Sequence, residues 1–300
     1  MLFDLDDTIV QAGSFVSPRV LDALRKARRA GYVLAIASGR PLCAVHEALL
    51  SPDVMDYAIC SNGATVTRLA DAASLRRQTM SREQALGCLH ALEPFSPAWN
   101  GFFDNKAYFE WKGASYMLTG RTGAVARATR QTPRRGAAVL RLAVRGMRFL
   151  HRTLTNKRHR QVLRLRPHLE GARGGIEKIG CTILNAQECA AAAQVLRETG
   201  QFEVVAMGST ELEITARGVT KGSGAQWLMD KLHLAAADCV AFGDGGNDLP
   251  LSEVVGCFVA MGNADDEVKA AATDVCAPVS EDGVAVWIEK NLLGQGGVSC

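Results

Sequence analysis

Short apolar runs alternate with amphipathic stretches over the first eighty residues. Val20, Leu21, Leu24 and Ala27 recur at helical spacing between Pro18 and Gly31, with Ser17 placed to cap the N-terminus. Tyr32-Val33-Leu34-Ala35-Ile36-Ala37 is a continuous apolar run, the pattern of a parallel strand buried on both faces. Ser38-Gly39-Arg40-Pro41 ends it and is expected to open a second helix. Tyr57-Ala58-Ile59-Cys60 repeats the strand pattern and stops at Ser61-Asn62-Gly63-Ala64. Strand, helix, strand, helix, strand is the rhythm of an α/β doubly wound, Rossmann-like parallel sheet.

Thr65 to Met80 reads as strand, turn, strand, turning near Asp71-Ala72-Ala73. From about Ser81 the pattern changes: a helix over 82–92, two prolines, an aromatic β-like stretch over 101–111, and a strand over 181–184. A helix over 186–199 and strands near 202–206 and 212–215 follow. The first pattern then resumes, with Lys221-Gly222 opening a helix that runs to Leu232. Buried strands at 239–242 and 257–261, a short helix over 268–273, a last strand over 275–277 and a helix over 283–293 complete it. The expectation is a core of residues 1–80 and 208–300, interrupted by an inserted α+β domain over 81–207.

Composition adds bounds. The chain has 300 residues, 48% of them hydrophobic, enough for one large or two moderate domains. No apolar run is long enough for a membrane span, and no basic segment precedes an apolar one at the start, so no membrane partner is expected. The nine cysteines form no C-x-x-C pair and read as reduced, mostly buried small hydrophobes of a cytoplasmic protein. Net charge is +3, but residues 121–173 carry about +14, leaving the remainder near −11. The Arg-rich stretch suits a solvated helix or a surface for an anionic substrate. It has little aromatic interleaving beyond Phe149 and His151, so nucleic acid is not the expected partner. The six histidines show no metal-ligand spacing. Oligomeric state is open.

The candidate chemistry lies at strand ends. Asp4 and Asp6 are two residues apart and fall on one side of a strand, where their like charges call for a cation or a shared proton. Ser38, Lys221, Asp244 and Asp248 are remote in sequence, yet the sheet just described brings all of them to its carboxyl edge, where ligands bind in such folds. Asn62 and Asn263, each beside a glycine, read as left-handed turn residues. Only Met1-Leu2-Phe3 precede Asp4, so a native start upstream of Met1 is expected for a central strand of ordinary length.

FDLDDT, IASGR, TKG and GDGGND, in this order, resemble the haloacid dehalogenase (HAD) superfamily of phosphoryl-transfer enzymes. IASGRP, CSNGA, GVTKG, GDGGNDLPL and AMGNA together resemble its Cof-type subfamily, whose cap is inserted after the third strand. The resemblance covers nearly all the chain and is weak from about 100 to 175. It implies a Mg²⁺-dependent phosphatase of small phosphorylated metabolites, such as sugar phosphates or a phosphorylated cofactor, with the cap closing over the core. Asp4 would be the nucleophile that forms an aspartyl-phosphate, and Asp6 the general acid and then base. Mg²⁺ would be held by Asp4, Asp244 and the main-chain carbonyl of Asp6, with Asp248 orienting its waters and Lys221. Ser38 and Lys221 would hold phosphoryl charge, aided by Gly39, Arg40, Asn62 and Asn247. A phosphomutase with the same Asp4 chemistry, and a non-catalytic protein whose basic cap binds an anionic partner, are the rivals.

Overall fold

A computed structural model of the protein describes residues 1–11, 15–118 and 158–293. The chain divides into two compact units, residues 1–78 with 219–300, and residues 79–218.

In the first unit, the apolar runs become parallel strands. These are β1 (Leu2–Phe3), β2 (Ala35–Ala37) and β3 (Tyr57–Cys60), continued by a hairpin of β4 (Thr65–Arg68) and β5 (Ala73–Arg77). The inserted unit supplies β6 (Ala98–Phe103), β7 (Lys106–Glu110), β8 (His159–Val162), β9 (Lys178–Thr182), β10 (Phe202–Met207) and β11 (Glu211–Ala216). The first unit resumes with β12 (Val240–Gly243), β13 (Cys257–Ala260) and β14 (Asp274–Val275).

The core sheet has the order β14-β13-β12-β1-β2-β3-β4-β5. Strands β14 to β3 are parallel, and only the β3-β4-β5 edge is antiparallel. The chain winds outward from β1 in both directions, so the topological switch falls between β1 and β12. Leu2 lies opposite both Ala35 and Ala241, and Phe3 opposite Ile36 and Phe242. The Phe3 and Phe242 rings stack at 5.3 Å, and Trp287 meets Phe242 edge-on at 5.2 Å. These large rings are buried directly below the carboxyl ends of the two central strands.

The helix Pro18–Arg29 forms where expected. Ser17 Oγ accepts the Arg19 N–H at 3.2 Å, and Val20, Ala23, Leu24 and Ala27 are its buried face. The helix expected after Ser38-Gly39-Arg40-Pro41 does not form. Two 3₁₀ turns, Leu42–Ala44 and Glu47–Leu49, take its place. An α-helix would bond Ala48 N–H to Ala44 C=O. Here His46 Nδ1 takes that N–H at 3.2 Å, and the Arg40 guanidinium donates to that carbonyl at 3.1 Å.

The second unit is a six-stranded sheet of order β10-β11-β9-β6-β7-β8, antiparallel except for the β7-β8 pair. Its far boundary corrects the expected 207. β11 pairs with β10 on one side and β9 on the other, so residues up to 218 belong to this unit. The aromatic stretch over 101–111 belongs to a hairpin, β6 to β7, turned by Asp104 and Asn105, both at positive φ. Residues 121–157 of the Arg-rich stretch, with Phe149 and His151, lie outside the described residues. Cys43, Cys60, Cys88, Cys181, Cys189, Cys239 and Cys276 are free thiols. No helix among the described residues is long and apolar enough to cross a membrane.

Candidate active site

The switch between β1 and β12 places two acids side by side. Asp4 follows β1, with its N–H bonded to Phe242 C=O at 3.0 Å, so β12 fixes its backbone before its side chain makes any contact. Asp244 follows β12. Lys221 is the first residue of the helix Lys221–Leu232, which Thr220 caps by accepting the Ser223 N–H at 3.0 Å. Glycine lets that helix approach β3: a Cβ at Gly224 would lie 2.6 Å from Ile59 Cγ2 and 2.9 Å from Gly63 Cα.

Lys221 is buried, and its Nζ donates to Asp4 Oδ1 at 2.5 Å and Asp248 Oδ1 at 2.6 Å. The other oxygen of Asp248 accepts the N–H groups of Asp244 at 3.0 Å and Gly245 at 3.1 Å. Asp248 thus locks the turn that presents Asp244 while it aims the lysine. Gly243 is required beneath it, since a Cβ there would lie 2.5 Å from Asp248 Cβ.

Asp4, Asp244 and Asp248 offer oxygens within 4.8 Å of one another. Burial, with smaller contributions from Asp248 and Asp6, pushes the Asp4 carboxyl up to about 7 despite Lys221. Burial and then Asp4, Asp248 and Asp7 push Asp244 up to about 9. Burial works against the Lys221 charge, but Asp248 and Asp4 outweigh it and hold the ammonium above its ordinary value. Hard oxygen donors carrying more negative charge than one ammonium offsets are the donor set for a hard divalent cation, so these residues could hold one.

Asp6 stands apart from this cluster. Its carboxylate is half-exposed, and Arg40 holds both of its oxygens, donating from Nε at 2.7 Å and from Nη2. The expectation that Asp6 serves the metal concerned its main-chain carbonyl, and its side chain is not part of the acid cluster.

Ser38 is buried at the end of β2, and its Oγ accepts the Arg40 N–H at 3.1 Å across Gly39. Its carbonyl accepts the Asn62 N–H at 3.0 Å, which ties the turns after β2 and β3 together. Asn62 sits at φ 56°, the left-handed turn position; Asn263 does not. Asn247 Nδ2 lies 3.5 Å from Asn62 Oδ1, and both residues are buried. One residue was passed over in the sequence: Thr8 is buried and donates from Oγ1 to Asp244 Oδ1 at 3.1 Å. Its signal was a hydroxyl two residues beyond Asp6, within the same opening segment.

The sequence profile of the haloacid dehalogenase-like hydrolases matches residues 1–288. Pyridoxal phosphate phosphatase YbhA of Escherichia coli is 26% identical over 292 residues, 97% of either chain. A Haemophilus influenzae relative is 44% identical over 81 residues, which is 27% of this chain and 31% of its own length. Among solved structures, a haloacid dehalogenase-like hydrolase from Bacillus subtilis superposes with a TM-score of 0.81 at 21% identity, covering 97% of this chain and 99% of its own.

Proposed function

Because the chain belongs to the haloacid dehalogenase-like hydrolase family, we propose that it is a Mg²⁺-dependent phosphatase of a small phosphorylated metabolite, working through an aspartyl-phosphate on Asp4. The observation that carries this reading is the buried Lys221 ammonium between Asp4 and Asp248. It favours the Asp4 anion in a place where burial opposes one, and a nucleophilic carboxylate must be an anion.

One oxygen of Asp4 is engaged by Lys221, leaving the other to attack phosphorus. As the new P–O bond forms, the ester P–O bond breaks and its electron pair goes to the leaving oxygen. Asp6 gives that oxygen a proton. A water molecule then attacks the aspartyl-phosphate and passes its proton to Asp6, releasing inorganic phosphate and restoring Asp4. Arg40 holds both oxygens of the Asp6 carboxyl, so this pair must open for Asp6 to reach the leaving oxygen. Ser38, Asn62, Asn247 and the Gly39 main chain would bind phosphoryl oxygens as their charge redistributes. The carboxylates of Asp4 and Asp244 and the carbonyl of Asp6 would hold Mg²⁺, with Asp248 supporting them; the ion would supply countercharge that brings phosphate and carboxylate together.

The full-length similarity to a pyridoxal phosphate phosphatase makes phosphorylated cofactors the first substrates to try, ahead of sugar phosphates. Asp4→Asn, assayed with p-nitrophenyl phosphate and pyridoxal phosphate in Mg²⁺, is expected to lose at least about 10³-fold in kcat. It should also form no acid-stable phosphoenzyme from ³²P-labelled substrate. Turnover within about tenfold of wild type would refute the assignment of Asp4 as nucleophile.

A further inference from the structure

Asp7 sits between the proposed acid and the threonine that touches Asp244, in a backbone conformation that a residue with a side chain rarely adopts (φ 59°). Its N–H is bonded to Val10 C=O at 3.0 Å, inside the turn that follows β1. Its carbonyl points the other way, to Asn263. Asn263 Nδ2 donates to Asp7 C=O at 2.8 Å, and Asn263 Oδ1 accepts the Val279 N–H at 2.8 Å. With one end of the amide donating and the other accepting, only one orientation of the side chain serves both contacts.

The loop that carries Asn263 is itself fixed to the catalytic strand ends. Met261 N–H bonds to Gly243 C=O at 3.0 Å, and Asp265 N–H bonds to Asp244 C=O at 3.1 Å. A second tie runs parallel: Gln11 Nε2 donates to Val279 C=O at 3.0 Å. The loop after β13 therefore reaches past β12 and holds the turn after β1 at one peptide. On one side of that peptide is Asp6, paired with Arg40; on the other is Thr8, bonded to Asp244.

From this bridge we infer that Asn263 is a positioning residue for Asp6, holding the Asp7 carbonyl so that the acid and the threonine bonded to Asp244 keep their places. The inference rests on the proposed role of Asp6 as general acid, and the experiment separates the two. Asn263→Asp keeps an acceptor for Val279 N–H but loses the donor to Asp7. Asn263→Ala loses both. Each is compared with Asp6→Asn and wild type on p-nitrophenyl phosphate, whose leaving group departs without a proton, and on β-glycerophosphate, whose alkoxide needs one. The quantity to compare is kcat/KM, because it covers only the steps through phosphorylation of Asp4, where the acid acts on the leaving oxygen.

Both Asn263 variants are expected to lose about tenfold or more on β-glycerophosphate and much less on p-nitrophenyl phosphate, with Asp6→Asn showing the same contrast more strongly. A residue that merely braces the loop would lower both substrates equally in Asn263→Ala and leave Asn263→Asp like wild type. Either pattern, with the contrast present in Asp6→Asn, overturns the inference and leaves the acid in place. If Asp6→Asn shows no contrast, Asp6 is not the acid, and the inference falls with that reading.

Discussion

Replacing Lys221 with methionine keeps the volume of a fully buried side chain and removes its charge, so the result reports on electrostatics rather than on a cavity. In the native site the ammonium bonds to both Asp4 and Asp248. Without it, Asp248 still accepts two main-chain N–H groups, while Asp4 faces two carboxylates with no cation in contact. Breaking a buried ion pair by deleting one partner costs about 3–5 kcal/mol, a large share of the roughly 5–15 kcal/mol that holds a domain folded. Thermal unfolding of metal-free protein at pH 8 should therefore fall by about 10 °C, at about 2–4 °C per kcal/mol. The loss should shrink at pH 5, because the Asp4 and Asp244 carboxyls, pushed up to about 7 and about 9, are then protonated and need no countercharge. Lys221 stays charged throughout this range, since its ammonium is held above its ordinary value. A fall worth less than about 1 kcal/mol at pH 8, or equal falls at pH 5 and pH 8, would refute the electrostatic account.

Two further outcomes are expected. In the metal-free protein both carboxyls are raised, so the folded state keeps protons that the unfolded chain releases; their stabilisation is complete below the ordinary value of 3.8 and is lost as pH rises through about 7 and about 9. Mg²⁺ takes the place of those protons, so the increase in Tm on adding it should grow from pH 6 to pH 8; an increase independent of pH would count against Asp4 and Asp244 as its ligands. Gly243→Ala should displace Asp248 and lower kcat/KM by about 10²-fold while the protein stays folded by circular dichroism, and wild-type activity in that variant would show the contact to be yielding.

The strands below the site were legible because apolar runs such as Tyr57-Ala58-Ile59-Cys60 have no polar face to offer solvent. The convergence of Asp4, Lys221, Asp244 and Asp248 followed from the topology, since parallel strands put their carboxyl ends at one edge. What stayed hidden depends on side chains that compete with the backbone. His46 and Arg40 consume the two groups a helix over 42–50 would pair, and no hydrophobic period records that. The separation of the Asp6 carboxylate from Asp4 was hidden for a related reason. The two-residue repeat applies only to extended chain, and β1 ends at Phe3 before the chain turns through Asp7 at positive φ. The β6–β7 hairpin did carry a signal, the Asp104-Asn105 pair, which marks a tight turn.

The pairing of β1 with β12 also sets an order of events at the ribosome. Leu2 emerges early and can pair at once with Ala35, but its other neighbour, Ala241, is not yet made. At about 5–20 residues per second, the nascent core waits roughly 10–40 s with one side of its central strand open. For most of that interval the chain displays the proposed nucleophile without Lys221, and throughout it without Asp244, so it has no means of using it. The whole inserted unit is translated within the same interval. On the proposed mechanism a chain stalled before β12 is therefore inactive, and it leaves one edge of β1 unpaired.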